Sequence, residues 1–150
     1  MQTSGRIAVA GATGRLGRDV VDALEERRYG VVPMSRSSGV DLVTGSGLQE
    51  ALTDVECAID AASGPSPDQH EATELFTAAA RNLHRAGERA GVRRMVTVSI
   101  IGCDRFTAGY AAAKVAHERE MVSGPIPVQV LRAAQFHEVI SQSNGANSAT

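Results

Sequence analysis

The sequence predicts an α/β fold built on a doubly wound parallel sheet, and three observations support this. Short apolar runs alternate along the chain with stretches of helical hydrophobic spacing. The apolar runs contain few polar residues, as expected for strands that are covered on both faces. The first run leads into a glycine-rich turn that opens a helix. Because parallel strands need long crossovers, the alternation predicts three layers, α/β/α.

Each element follows from hydrophobic spacing together with start and stop signals. The predicted strands are Arg6–Ala10, Val31–Ser35, Cys57–Ala61, Arg94–Val98 and Val128–Leu131, with a very short extended piece at Val40–Leu42. The predicted helices are Arg15–Arg28, Leu48–Leu52 with Ser46 as its cap, a long helix from Ser66 and Pro67 to about Ala90, and Thr107–Val122. Gly91 stands where a left-handed residue usually ends a helix.

The spacing also predicts which side chains face the core. Leu16, Val20, Val21 and Leu24 share one face of the first helix, and Phe76, Ala79, Ala80, Leu83 and Ala86 share one face of the long helix. Cys57 is expected to be a small core residue. His84 and His117 are expected to be solvated helix residues, and the scattered histidines and two cysteines predict no metal site.

The composition excludes several classes of function. The 150 residues carry a net charge of −2, with 43% hydrophobic and 21% charged residues, which is typical of one soluble domain. We expect a nucleotide-binding domain over residues 1–137 and a polar tail over 138–150. Neither a nucleic-acid partner nor a membrane partner is expected, and the absence of a leader pattern predicts a cytoplasmic protein.

The glycine-rich turn is GATGRLG, residues 11–17. Gly11 allows the tight turn out of the strand, Gly14 lets the backbone approach a pyrophosphate, and Gly17 lets the helix pack on the strand. The amides at the start of the helix would face the phosphates. The position between a strand and a helix favours a Rossmann-type dinucleotide site over a purely structural turn. The loop residues Thr13, Arg15 and Leu16 are assigned to the same site.

The end of the second strand predicts which dinucleotide binds. NAD sites place a carboxylate there for the ribose 2′-hydroxyl, but this sequence has SRSS at 35–38. Arg36 can clamp a 2′-phosphate, Ser35 and Ser37 can donate to it, and Arg15 can reach it. The sequence therefore favours NADP over NAD. Asp41 is either a contact for the adenine edge or an ordinary turn residue.

A candidate catalytic pair lies in GYAAAK, residues 109–114. Tyr110 and Lys114 are one helical turn apart, and Lys114 is the only lysine in the chain. The Lys114 ammonium favours the phenolate and makes tyrosine a better acid–base group near neutral pH. The same ammonium can hold the hydroxyls of the nicotinamide ribose, so Lys114 is also assigned to cofactor binding. Ser99, at the end of a strand, could polarise a substrate carbonyl. The alternative is an amphipathic helix with an incidental tyrosine and a solvated lysine.

Taken in order, these motifs resemble the short-chain dehydrogenase/reductase superfamily, in particular its atypical, NmrA-like branch near the extended epimerase-type enzymes. The resemblance implies that the glycine loop carries the pyrophosphate, and that Ala61, Ala62 and Ser63 pass over the cofactor ribose. It also implies that LRAAQFHE, residues 131–138, lies beside the nicotinamide, although Ala133 replaces the usual proline.

Three departures from that family bear on function. The link between the second and third strands is short, so the usual helix there is missing or vestigial. The spacing from Ser99 to Tyr110 is short. The substrate lobe that usually follows is missing, which leaves an open pocket and a sheet surface that could form a homodimer.

Three functions therefore remain open. The first is an NADP(H)-dependent oxidoreductase acting on a carbonyl or hydroxyl substrate that the sequence does not identify. The second is a non-catalytic NmrA-like redox sensor that binds a protein partner. The third is a fragment without activity of its own.

Overall fold

Five parallel strands form one sheet in the computed structural model, which describes residues 5–62, 69–100 and 109–133 but not the side chains at 69, 99–100, 109–111 and 132–133. The strands are β1 Arg6–Ala10, β2 Gly30–Met34, β3 Val55–Asp60, β4 Arg94–Ile100 and β5 Val128–Ala133. All four neighbouring pairs are parallel. The doubly wound parallel sheet predicted from the sequence is confirmed.

The strand order is β2-β1-β3-β4-β5. The chain leaves β1 toward one edge of the sheet to form β2, and then returns to form β3 on the other side of β1. Ala10 and Asp60, the last residues of β1 and β3, are partners in the register. Their carboxyl ends therefore mark the point where the winding reverses, which is where open α/β sheets bind ligands.

Helices cover both faces of the sheet and give the three predicted layers. The helices are α1 Arg15–Glu26, α2 Leu48–Ala51, α3 Gln69–Ala90 and α4 Gly109–Ser123. On one face, Leu16, Val20, Val21 and Leu24 of α1 pack against Val9, Ala12 and Ala61, as predicted. On the other face, α2, α3 and α4 bury the larger core cluster, which includes Leu48, Leu83, Met95 and Met121.

The inward face predicted for the long helix is confirmed, because Phe76, Ala79, Ala80, Leu83 and Ala86 are all buried. Gly91 follows with a φ of 87°, as expected for the residue that ends a helix. The predicted helix start at Ser66 and Pro67 lies outside the described residues. Cys57 is buried, as predicted, and burial raises the pKa of its thiol.

Two local predictions between β2 and β3 are wrong. Val40–Leu42 forms no strand, since the chain turns from Leu42 onward. The N-cap of α2 is Gly47 rather than Ser46, because the chain enters the helix with a φ of 79°, which glycine adopts without a steric penalty. This link contains a single 3₁₀ turn, Arg36–Ser38, and α2, which is four residues long, so the usual helix there is vestigial, as expected.

The prediction that His84 and His117 are solvated is also wrong, because both are buried. His84 Nε2 lies 2.7 Å from the Met121 carbonyl, and its Nδ1 accepts the Ile126 amide at 3.3 Å. The imidazole thus contacts the Met121 carbonyl in the last turn of α4 and accepts the buried Ile126 amide just beyond it. Helical spacing could not distinguish this role from an exposed position, because it depends on a distant segment.

Within the three described ranges, no helix is long and apolar enough to cross a membrane.

Candidate functional site: a cleft at the carboxyl ends of β1 and β3

A cleft of about 660 Å³ opens where the winding of the sheet reverses. One wall is formed by the glycine loop at Gly11, Thr13, Gly14, Arg15 and Leu16. The second wall is the chain after β2, and the third is Ala61 and Ala62 together with the apolar side chains Leu75, Phe76 and Ala79 of α3. The cleft therefore combines polar backbone and guanidinium groups with an apolar wall, as small-molecule sites usually do.

The glycine loop has the geometry that its sequence predicts. Gly11 has a φ of 75°, and its amide donates to the Met34 carbonyl at 3.1 Å. A Cβ on Gly11 would lie 2.6 Å from the Ala62 Cα, so the loop packs directly on the chain after β3. Gly17 is buried, and a Cβ there would collide with the Gly11 carbonyl. These two glycines are needed for the turn and for close helix packing.

Gly14 differs, because it is exposed and is the N-cap residue of α1. A Cβ on Gly14 would meet only the Gly11 carbonyl oxygen, at 3.4 Å, which is ordinary contact. The space that a side chain would take there belongs to the cleft that Gly14 lines. The absence of a side chain leaves the first turn of α1 open to a ligand, which is the arrangement a pyrophosphate requires.

The wall after β2 contains the predicted phosphate ligands. Ser35 and Arg36 line the cleft, and Arg36 opens a single 3₁₀ turn, Arg36–Ser38. The Ser35 and Ser37 hydroxyl oxygens are 2.8 Å apart, which shows that the two side chains converge. Arg15 reaches the same cleft from the glycine loop. Arg15, Ser35 and Arg36 thus line the cleft near the end of β2, where NAD sites have a carboxylate, and Ser37 contacts Ser35 without lining the cleft itself.

Asp41 lines the cleft, but its side chain is hydrogen-bonded within its own turn. Its Oδ1 accepts the Val43 amide at 2.9 Å and the Thr44 amide at 3.4 Å. Its backbone amide donates to the Ser46 carbonyl at 2.9 Å. Of the two readings that the sequence left open, this geometry favours a turn residue that shapes the wall, because one carboxylate oxygen is already used.

Lys114, the predicted cation on α4, is buried, with 3% of its surface exposed. Its Nζ lies 4.7 Å from the centroid of the Phe76 ring, and Phe76 lines the cleft. A cation over an aromatic face is held by the ring quadrupole. Lys114 therefore lies against Phe76, a residue that lines the cleft.

The other predicted catalytic residues are placed by their backbone. Tyr110 and Lys114 both lie in α4, one turn apart, and Ser99 lies in β4, where it pairs with Arg132 of β5. The side chains of Tyr110 and Ser99, and the whole of Ser63, lie outside the described residues. The structure therefore supports the helical spacing of the Tyr110–Lys114 pair without describing the contact between its side chains.

Sequence reasoning missed a buried pair next to Lys114. His117 Nε2 lies 2.9 Å from Asp60 Oδ2, and the two side chains are 1% and 4% exposed. Burial by itself would raise the pKa of Asp60. The hydrogen bond and charge of His117, the charge of Lys114 and the Ala62 amide outweigh burial and hold that pKa below its usual range. The one feature of the sequence that could have indicated this pair is Asp60, an acidic residue at the end of an apolar strand.

No group of three or more histidine, cysteine, aspartate or glutamate side chains that could hold a metal ion is found in the described part of the chain.

Comparison with known proteins agrees with this geometry. The profile of a family described as NAD(P)H-binding matches residues 11–126. Among curated proteins, the chain is similar to the photosystem II assembly factor Ycf39 of Synechocystis sp., with 29% identity over 110 residues, which is 64% of this chain and 34% of that protein.

Among solved structures, the chain resembles MoeE5 in complex with UDP-glucose and NAD, with a TM-score of 0.73, 23% identity and coverage of 85% of this chain and 54% of that one. It also resembles dTDP-4-dehydrorhamnose reductase from Bacillus anthracis in complex with NADP, with a TM-score of 0.72, 19% identity and coverage of 98% and 62%. At these identities the likeness shows the fold. The chain spans about a third of the curated relative and a little over half of these structures.

Proposed function

The chain belongs to the NAD(P)H-binding family, and from that premise we propose that it binds NADP(H) and serves an oxidoreductase reaction through Tyr110 and Lys114. The observation that carries the proposal is the composition of the wall after β2. Ser35 and Arg36 belong to this wall, Arg15 lines the same cleft from the glycine loop, and no acid occurs between positions 35 and 38. A 2′-phosphate would meet two guanidinium groups there, whereas NAD would lack the carboxylate that binds its 2′-hydroxyl.

The rest of the cleft fits the remaining parts of the coenzyme. The open first turn of α1 at Gly14 suits the pyrophosphate, and Ala61 and Ala62 form the wall that the ribose would contact. The Lys114 ammonium lies over the ring of Phe76, which lines the cleft. When bound, NADPH supplies the hydride, and the task of the chain is to hold it and to move a proton.

Tyr110 is proposed as the proton donor and acceptor. A phenol is a weak acid at neutral pH, and a cation one helical turn away favours its ionised form. Lys114 is the cation placed to do this, and Ser99 at the carboxyl end of β4 would orient the substrate oxygen. The reaction class is reduction of a carbonyl or oxidation of a hydroxyl, and the substrate itself remains open.

Fluorescence titration with NADPH and NADH tests the coenzyme assignment. NADPH should bind more tightly, and Arg36→Ala should weaken NADPH binding by roughly tenfold or more, as expected for loss of a charged hydrogen bond, with little change for NADH. Arg89→Ala is the matched control, since Arg89 is an exposed arginine in the last turn of α3. Equal affinities for the two coenzymes in the unchanged protein would contradict the assignment.

Oxidoreductase activity is tested separately with a panel of carbonyl substrates. Tyr110→Phe should abolish turnover and leave NADPH affinity nearly intact, because only the hydroxyl that carries the proton is removed. Activity that survives this change would show that Tyr110 is not the proton donor.

A second candidate function is supported by one comparison. The curated relative is named as an assembly factor rather than an enzyme, so the chain could instead be a coenzyme-reading module that binds a protein partner. A partner recovered from cell extract in an NADP(H)-dependent manner, together with no turnover on the carbonyl panel, would favour this function over the first.

A further inference from the structure

Four buried ionisable side chains lie at the carboxyl end of β3 and on α4. Asp60 comes from the last residue of β3, and Lys114, His117 and Glu118 come from α4. Each exposes less than a tenth of its surface. Burying isolated charges is costly, and the cost is offset only when the charges are paired and hydrogen-bonded. The arrangement of this cluster therefore determines which charges can exist at the site.

The Asp60 carboxylate is held on both sides. Oδ2 lies 2.9 Å from His117 Nε2, and Oδ1 accepts the Ala62 amide at 3.1 Å. Ala62 lines the cleft and packs against Gly11 of the glycine loop. Asp60 thus ties α4, through His117, to the stretch of backbone that forms the cleft wall.

Lys114 belongs to the same cluster through Phe76. Its Nζ lies 4.7 Å from the centroid of the Phe76 ring, and the His117 ring centroid lies 4.9 Å from that same centroid. Lys114 and His117 are one turn apart on α4, so they face the same side of the helix. The Lys114 charge is one of the causes that lower the pKa of Asp60, so the two groups interact electrostatically. Glu118 is also buried and lies on α4, one turn beyond Lys114, so it is the carboxylate that shares this helix face.

We propose that Asp60 and His117 are the positioning residues of Lys114, with the Asp60 carboxylate as its counter-charge and His117 as the group that fixes the orientation of that carboxylate. The proposal rests on the proposed function, in which Lys114 is the cation that acts on Tyr110. Asp60 keeps this ammonium charged while it is buried, and the same carboxylate sets the position of Ala62. One side chain thereby couples the charge at the catalytic helix to the shape of the coenzyme cleft.

The charge of Lys114 can be measured directly, because it is the only lysine in the chain. Protein grown with lysine labelled with ¹³C at Cε gives one Cε resonance, and its titration reports the Lys114 ammonium without coenzyme. Asp60→Asn should lower the proton affinity of Lys114 by about tenfold or more, since it removes the opposite charge. Glu118→Gln tests the competing counter-charge one turn along α4 from Lys114, and it should shift the Lys114 titration less than Asp60→Asn does. A large shift in Glu118→Gln with none in Asp60→Asn would overturn the proposal.

A second measurement does not depend on Asp60→Asn folding. In the unchanged protein, the Lys114 resonance should show an additional step at acid pH, as Asp60 takes up its proton. His117→Leu, which removes the hydrogen bond to Asp60, should move that step to higher pH. His117→Gln retains an N–H donor and should move it less. Absence of the acid step, or the same pH for it in the unchanged protein and in His117→Leu, would overturn the proposal.

NADPH affinity separates this proposal from the proposed function. His117→Leu should weaken NADPH binding several-fold by loosening the Asp60–Ala62 contact, and His117→Gln should restore most of it. If the unchanged protein binds no NADP(H), the proposed function fails, while the Lys114 titration still decides the role of Asp60. If NADPH binds with equal affinity to the unchanged protein and to His117→Leu, the coupling of the pair to the cleft is wrong and the proposed function stands.

Discussion

At the end of the cleft next to β2, Arg15 and Arg36 are exposed to solvent. Next to Phe76 of the apolar wall, Lys114 and His117 are buried together with Asp60, and these three residues form the buried end of the site. The exposed end is built from the first residue of α1 and the turn after β2, and each is defined by residues a few positions apart in the sequence. The buried end is assembled from β3 and α4, which are far apart along the chain. The charges of the first arrangement face solvent, whereas those of the second are held in place by contacts within the protein.

The difference determines how each end contributes to stability. Exposed charges are screened by water and salt, so their removal changes binding more than folding. Buried charges depend on one another, and removal of one leaves the others without compensation. Substitutions of the same chemical type at the two ends should therefore have very different effects on the free energy of unfolding.

The largest effect is expected when the same substitution is made at both ends. Asp60→Asn removes a buried charge from His117 and Lys114 and should lower the free energy of unfolding by roughly 3–5 kcal/mol at neutral pH. Asp41→Asn keeps an oxygen for the Val43 amide and should cost no more than about 0.5 kcal/mol. Denaturant unfolding measures both. Comparable losses of unfolding free energy in the two variants would show that the buried Asp60–His117 pair contributes no more to stability than the Asp41 turn.

The pH dependence of stability sharpens the same contrast. The folded pKa of Asp60 is lowered from its unfolded value of 3.8, so the ionised form stabilises the fold. This contribution is complete above the unfolded pKa and is lost as the pH falls through the lower folded pKa. Urea unfolding at successive pH values below about 5 should show this loss in the unchanged protein. In Asp60→Asn the slope should be smaller, and an equal slope would contradict the assignment.

An intermediate effect is expected at the glycine loop, where two glycines have different tasks. Gly17→Ala would place a Cβ against the Gly11 carbonyl and should destabilise the fold by roughly 1–3 kcal/mol or more. Gly14→Ala makes only ordinary contact and should leave stability nearly unchanged, while its methyl group occupies the cleft and weakens NADPH binding. Unfolding and fluorescence titration on the same two variants separate the roles. Equal stability losses would contradict the distinction.

The sequence predicts the exposed end well because its signals are local. The loop at 11–17, the apolar strands and the inward face of α3 each depend on residues a few positions apart, and each is confirmed in the structure. The assignment of Arg36 also follows from its position after β2. Local signals fail at the start of α2. Serine is preferred over glycine as an N-cap residue, but the positive φ at this N-cap is one that glycine adopts more easily, so Gly47 and not Ser46 caps the helix.

The buried end could not be predicted from spacing alone. His117 occupies a helical position that also suits an exposed residue, and only the packing of α4 on the sheet brings it to Asp60. Asp60 was visible as an acid at the end of an apolar strand, but its partner depended on tertiary contacts. Within the described residues, Thr97 Oγ1 and His117 Nδ1 are buried without hydrogen-bond partners. The spacing of residues in the sequence carries no information on whether a buried polar atom finds a hydrogen-bond partner.

The smallest expected effect is a difference between NADPH and NADH in how strongly salt weakens their binding. If Arg15 and Arg36 hold a 2′-phosphate at an exposed site, raising the salt concentration screens an attraction that NADH lacks. NADPH affinity should therefore fall more steeply with salt than NADH affinity, by a difference on the order of 1 kcal/mol or less between low and high salt. Arg36→Ala should bring the two salt dependences together, whereas Arg89→Ala should leave them apart. Parallel salt dependences in the unchanged protein would mean that the exposed arginines do not read the 2′-phosphate, and the contrast between the two ends would then rest on the buried pair alone.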